Sequence, residues 1–224
     1  MFMDIVLPGG NEQDFIGMAR RLSLDALLFL YPKKRKPSLP ETDFPVYAGR
    51  YVEGKECVKL RGDAARYEAA LAPEKLLPVL GRGAADSVWL LETLSRTDHL
   101  HYRRSGLNQV SCALARDKEV HIGISLRMLL TSRGWRRAKL LGRISQNLRF
   151  CRKFGTQMAI ASFARGPWEL WAPAEIKSLL LTLGAEPGQA NAVLEATSRR
   201  IKRVDAALDG KILQKDIQAE YLEG

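Results

Sequence analysis

Only three histidines and three cysteines occur in these 224 residues, so the side chains that most often bind metals or act as bases and nucleophiles are scarce. Cys57, Cys112 and Cys151 lie far apart with no C-x-x-C pair, which removes the usual zinc ligand sets and redox motifs and fits buried thiols in a reducing compartment. No G-x-G-x-x-G follows the first strand-like run, and neither a P-loop nor a G-x-S-x-G elbow occurs. The longest apolar stretches, such as Ala26 to Tyr31, are strand-sized and fall short of the roughly 20 residues that cross a membrane. The first residues carry Asp4 and break at Pro8, without the basic start and apolar run of a signal peptide, so a soluble, cytoplasmic protein is expected.

One sign of charge is missing from a whole section. Between Glu119 and Glu169 there is no acid, whereas Arg127, Arg133, Arg136, Arg137, Lys139, Arg143, Arg149, Arg152, Lys153 and Arg165 all fall there. These ten cations equal the net charge of +10, so the rest of the chain sums to zero. Neutralised phosphates release counterions, and the window is therefore the expected address of a polyanion. By contrast, the Lys33–Lys34–Arg35–Lys36 run sits among prolines and reads as a solvated loop.

Apolar content of 46% is enough for one sizeable core. Strand-like runs at Asp4–Leu7, Ala26–Leu30, Val46–Val52, Cys57–Leu60, Val88–Leu91, Val120–Ser125 and Met158–Ala161 alternate with segments of helical period. That order predicts an α/β fold of about seven parallel strands with surrounding helices. The absence of a dinucleotide fingerprint favours a closed, TIM-like barrel over an open sheet. With no internal repeat or linker, residues 1–224 read as one domain, ending in helices from Pro173 and Pro187 and a terminal helix or tail over 208–224.

Within the acid-free window a helix is expected from Ser132, as cap, to Phe154, stopped by Gly155. Leu140, Leu141, Ile144, Leu148 and Cys151 gather on one side of it. Lys139, Arg143, Gln146, Arg149 and Lys153 gather on the other, where planar guanidinium groups can engage phosphate oxygens in pairs. The alternative is a solvated helix face, but such faces usually mix both signs. Arg103 and Arg104 precede a helix for which Ser105 is the expected cap. Arg127 and Arg165 follow the last two strands and should share the functional rim of a barrel. Trp168 and Trp171 fit core anchors better than base-stacking platforms.

A protein-borne active site has one candidate, Glu92, Asp98, His99 and His101, a workable metal ligand set on which a stand-alone phosphoesterase would depend. His121 is alone in an apolar strand. A third reading is an interaction module whose basic face meets an acidic protein.

Four motifs in order, Arg104-Ser-Gly-Leu-Asn-Gln-Val110, Ile122-Gly-Ile-Ser-Leu-Arg127, Gln146-Asn-Leu-Arg-Phe-Cys-Arg-Lys-Phe-Gly155 and Ala161-Ser-Phe-Ala-Arg-Gly-Pro-Trp-Glu-Leu170, resemble ribonuclease P protein component 3 in its short archaeal form. The match covers residues 104–170; the first hundred residues match weakly. Arg104 stands where members often have an acid. The resemblance implies a TIM-like barrel without the metal ligands of related phosphoesterases. It also implies a subunit of the ribonucleoprotein that removes 5′ leaders from precursor tRNA, where the RNA subunit performs the hydrolysis with Mg²⁺. This chain would then bind no cofactor of its own. Its implied partners are the ribonuclease P RNA, other protein subunits and, directly, ribonuclease P protein component 2 in a heterotetramer, and the basic residues would contact RNA or that protein.

Overall fold

The computed structural model describes residues 1–60, 66–99, 101–208, 212–214 and 217–218. Seven strands form one parallel sheet in chain order: β1 (Met3–Val6), β2 (Ala26–Pro32), β3 (Val46–Glu53), β4 (Glu68–Leu71), β5 (Ser87–Trp89), β6 (His121–Ser125) and β7 (Met158–Ala161). Register is regular, with Ile5 opposite Leu28 and Gly123 opposite Ala159. The ends of the sheet meet at a bridge between Val6 and Ala164, where the Leu7 N–H donates to Ala164 at 2.8 Å and the Phe163 N–H to Ile5 at 2.9 Å. Asp4 reinforces the seam by accepting from the Ser162 N–H at 2.7 Å, and burial pushes its carboxyl up to about 6. The sheet is thus a nearly closed barrel, the TIM-like fold expected from strand–helix alternation.

Period-two alternation divides the core into two parts. Met3, Ile5, Leu28, Leu30, Tyr67, Ala69 and Trp89 point into the barrel, while Val6, Leu27, Phe29, Val88 and Ile122 pack against the outer helices. Trp89 fills the axis, its indole Nε1 donating to Ser87 Oγ at 2.6 Å. Gly123 makes room for it, because a Cβ there would run into the six-membered ring.

The outer helices are α1 (Glu12–Arg21), α2 (Leu76–Arg82), α3 (Gln109–Asp117), the short α4 (Leu126–Leu130), α5 (Gly134–Phe154), α6 (Pro173–Thr182) and α7 (Pro187–Leu208). The last of these crosses the end of the barrel at which the strands begin. Its Ala196 and Ile201 close the interior core, and Ser198 donates to the Met1 carbonyl at 2.9 Å.

Two expectations change. Cys57–Leu60 is not a strand: Gly54–Lys59 forms 3₁₀ turns, with Cys57 buried beneath them. The missing strand is β4, whose Glu-Ala-Ala-Leu sequence has little β-propensity and is held by registering with β3 and β5. The terminal helix or tail expected over 208–224 lies largely outside the described residues. Within it, Ile212–Gln214 and Ile217–Gln218 pair antiparallel.

Candidate nucleic-acid interface

Helix α5 runs almost as expected and ends at Gly155, whose φ of 67° supplies the left-handed turn. Its start differs: the cap position is Arg133, and Ser132 is buried, its carbonyl accepting from Arg137 Nε at 2.7 Å. The same Arg137 Nε also reaches the Leu129 carbonyl at 3.0 Å, which ties α4 to α5. Leu140, Ile144, Leu148 and Cys151 are buried as the 3.6-residue period requires.

The opposite side is not a free row of cations. Arg149 and Lys153 are exposed, Lys139 and Gln146 are half-buried, and Arg143 is only 1% exposed. The long connection from β5 to α3 lies along this side of α5, and Arg143 is its anchor. The guanidinium donates to the carbonyls of Glu92 at 2.6 Å and Ser95 at 2.7 Å, and pairs with Asp98 at 2.6 Å. Arg143 is therefore corrected from an outward contact residue to an internal clamp.

Its neighbours extend the clamp. Asn147 donates to Glu92 Oε1 at 2.8 Å, and Gln146 donates to the Arg103 carbonyl at 2.8 Å and to the buried Ser105 hydroxyl at 2.9 Å. Lys139 donates to the Arg96 carbonyl at 2.8 Å. The Arg103 guanidinium lies flat against α5 at Gly142, where any Cβ would strike it. Ser105 therefore does not cap α3; Asn108 does, accepting from the Ser111 N–H at 2.8 Å in a reciprocal box. The helix start expected to meet a phosphate beside Arg103 and Arg104 is thereby satisfied internally.

Three residues of the candidate metal cluster, Glu92, Asp98 and His99, face different partners, and His101 is exposed. Burial pushes the Glu92 carboxyl up to about 7, opposed by the Asn147 hydrogen bond and the Arg143 charge. Partial burial also pushes Asp98 up, but hydrogen bonds from Arg143 and from the Arg104 N–H outweigh it and hold the carboxyl below its usual range. His99 Nε2 accepts from Arg104 Nε at 2.6 Å, and its ring lies 4.3 Å from that of Tyr102. Among the described residues no three His, Cys, Asp or Glu side chains gather as a metal set.

At the rim, Arg127 pairs with Glu169, which also accepts from the Arg165 N–H at 2.8 Å. The two arginines do share the C-terminal edge of the barrel, joined through one carboxylate. Burial raises the Glu169 carboxyl, but these donors win and hold it low. Trp171 is half-buried against the core as expected, whereas Trp168 is 83% exposed and anchors nothing.

Of the ten cations in the acid-free window, Arg127, Arg143 and Arg152 pair with acids outside it, Glu169, Asp98 and Glu186. Arg133, Arg136, Arg137, Lys139, Arg149, Lys153 and Arg165 form no ion pair among the described residues. Two hollows flank the clamped loop. One, of about 420 Å³, opens beside the start of α5 between Thr93, Ser95, Arg96, Trp135, Arg136 and Lys139. The other, of about 790 Å³, is lined by His99, Tyr102, Arg103, Arg104, Gln146 and Phe150. Trp135, 78% exposed, and Arg96 are additions to the residues expected from sequence. An indole set between Arg133 and Arg136 in a first helical turn was the signal for it.

The sequence matches the family described as RNase P subunit p30 over residues 96–208. It is 34% identical over 194 residues to ribonuclease P protein component 3 of Methanosarcina acetivorans, covering 84% of this chain and 76% of that protein. The corresponding protein of Methanosarcina mazei is 31% identical, with 85% of this chain and 79% of that one covered. A chain in the cryo-EM structure of archaeal ribonuclease P with mature tRNA superposes with a TM-score of 0.75 at 19% identity over 99% of both chains. A prolidase complexed with N-methylphosphonate-L-proline shares the barrel at a TM-score of 0.52 and 8% identity, covering 100% of this chain and 77% of that one.

Proposed function

The chain belongs to the RNase P p30 family and is a protein subunit of ribonuclease P, and from that premise we propose that α5 and the loop clamped to it form its RNA-contacting face. Ribonuclease P is the endoribonuclease complex that processes the 5′ end of tRNA, and RNA and other protein subunits are the partners of this chain. The observation that carries the proposal is the set of cations on α5 and at its cap that form no ion pair among the described residues, six in a window of one sign. Phosphates are the counterions such a surface lacks.

In this reading the chain supports the catalytic RNA, and the RNA holds the Mg²⁺ used in hydrolysis. The direct protein partner is ribonuclease P protein component 2, in a heterotetramer, and some of the arginines serve that contact instead. The donor set of this chain fits a supporting role, because Glu92, Asp98 and His99 are engaged with Asn147, Arg143 and Arg104 rather than with one another.

Replacing Arg133, Arg136 and Arg149 together with alanine tests the proposal. All three are exposed, so stability should stay within about 0.5 kcal/mol. Binding to ribonuclease P RNA should weaken, and the slope of log affinity against log salt should fall by about two to three, at ~0.9 per lost phosphate contact. An unchanged slope together with unchanged precursor cleavage by the reconstituted particle refutes it.

A further inference from the structure

We infer that the hollow beside the first turn of α5 is a site for one unpaired nucleotide, its base stacked on the Trp135 indole and its phosphate among Arg96, Arg136 and Lys139. The inference rests on the RNA-contacting reading of α5 and gives it a location and a ligand class.

Trp135 is 78% exposed, an unusual position for the largest apolar side chain, and it forms a wall of the 420 Å³ hollow instead of packing on the core. Apart from Leu140, the other lining residues are polar or charged. Thr93, Ser95 and Arg96 come from the clamped loop, and Arg136 and Lys139 come from α5. Lys139 joins the two sides: its Nζ lies 6.0 Å from the Trp135 ring centroid and donates to the Arg96 carbonyl at 2.8 Å. Arg136 has no ion pair among the described residues.

Two carboxylates stand near the hollow. Glu92 contributes to its floor but is fully buried, with its carboxyl on Asn147, and Asp98 is paired with Arg143. An indole face combined with point cations is the arrangement that single-stranded nucleic acid uses, since every base has a face to stack and every nucleotide a phosphate. A paired base is already stacked within its helix and presents no face to an indole, so the occupant is a nucleotide splayed from its neighbours. A protein anchor would require other exposed apolar groups around the tryptophan, and Thr93, Ser95, Arg96 and Arg136 stand there instead.

The test uses the full chain in a Trp168→Phe background, which removes the other strongly exposed indole. The probes are a mixed-sequence single-stranded oligoribonucleotide and its duplex, followed by ribonuclease P RNA. The single strand should quench tryptophan fluorescence and the duplex should not. Trp135→Ala should weaken single-strand binding roughly tenfold, the scale of one lost base stack, with no change in salt slope. Trp135→Phe should keep most of the affinity while losing the quench, and Arg136→Ala should lower the slope.

Single-strand affinity of Trp135→Ala equal to that of the parent overturns the inference. So does equal quenching by the duplex, or loss of association between Trp135→Ala and the other protein subunits in the absence of RNA, which would make the indole a protein anchor. Failure of the unmodified chain to bind ribonuclease P RNA refutes the underlying RNA-contacting reading and this site with it. RNA binding by that chain with no effect of Trp135→Ala refutes the nucleotide site alone.

Discussion

On α7, Arg200 reaches Asp86 at 2.5 Å and Arg203 reaches Glu119 at 2.9 Å, each acid standing just before a strand at the floor of the barrel. On α5, Arg136, Arg149 and Lys153 meet no acid among the described residues, and the helix contains none of its own. Arg200 and Arg203 fasten α7 across an opening, and Arg136, Arg149 and Lys153 leave a field directed at solvent. Arg143 and Arg152 are the exceptions on α5, since they pair with Asp98 and Glu186 as the two arginines of α7 pair with their acids. Charge density alone therefore does not separate a structural arginine from one that meets a ligand; what separates them is whether another part of the chain supplies an acid.

The strongest challenge to this contrast is Arg143→Ala. The substitution leaves Asp98 without its buried partner and frees the carbonyls of Glu92 and Ser95, so unfolding free energy should fall by about 3–5 kcal/mol in denaturant titration. A loss below about 1 kcal/mol would return Arg143 to the solvent-facing set.

Next in size is the pH dependence set by Glu92 beneath α5. Its folded pKa of about 7 lies above the ordinary value of 4.5, so between these limits the folded state holds more protons than the unfolded one. The Glu92 contribution to stability should then decline as pH rises from 4.5 to 7, by up to about 3 kcal/mol for such a shift, against an opposing rise from His121, whose imidazole is lowered by burial from 6.5 to about 4. Glu92→Gln should remove this contribution in thermal or denaturant unfolding, leaving the decline that Asp4 contributes between 3.8 and about 6 and the opposing rise from His121 between about 4 and 6.5. A pH profile that matches the unsubstituted chain would count against it.

The smallest effect belongs to α7. Arg200→Ala breaks a partly exposed pair and should cost about 1–2 kcal/mol while leaving the salt slope of RNA binding untouched. A changed slope would place the barrel floor on the RNA and erase the distinction between the two helices.

Most of the barrel was legible because six of its strands are compact runs of β-branched or large apolar residues between helical periods. Glu68–Leu71 was not, since its alanines are strand-like only in the company of β3 and β5. The reverse error at Cys57–Leu60 came from a short alternation that tertiary context folds into 3₁₀ turns. For the surface, the acid-free window marked out α5, because charge balance is visible along a chain. The fate of Arg143 was invisible, because its helical position is polar and its partners lie 45 to 51 residues earlier. Trp168 and Trp135 were hard to read for a related reason: two exposed indoles look in sequence like any other apolar anchors.

The clamp also carries a temporal consequence. Glu92 and Ser95 leave the ribosome 51 and 48 residues ahead of Arg143, the side chain that receives their carbonyls. During synthesis the β5–α3 connection waits, unfastened, until α5 has been made. The hollow between Arg96 and Trp135 is completed only at that moment, so it is among the later surfaces a nascent chain acquires.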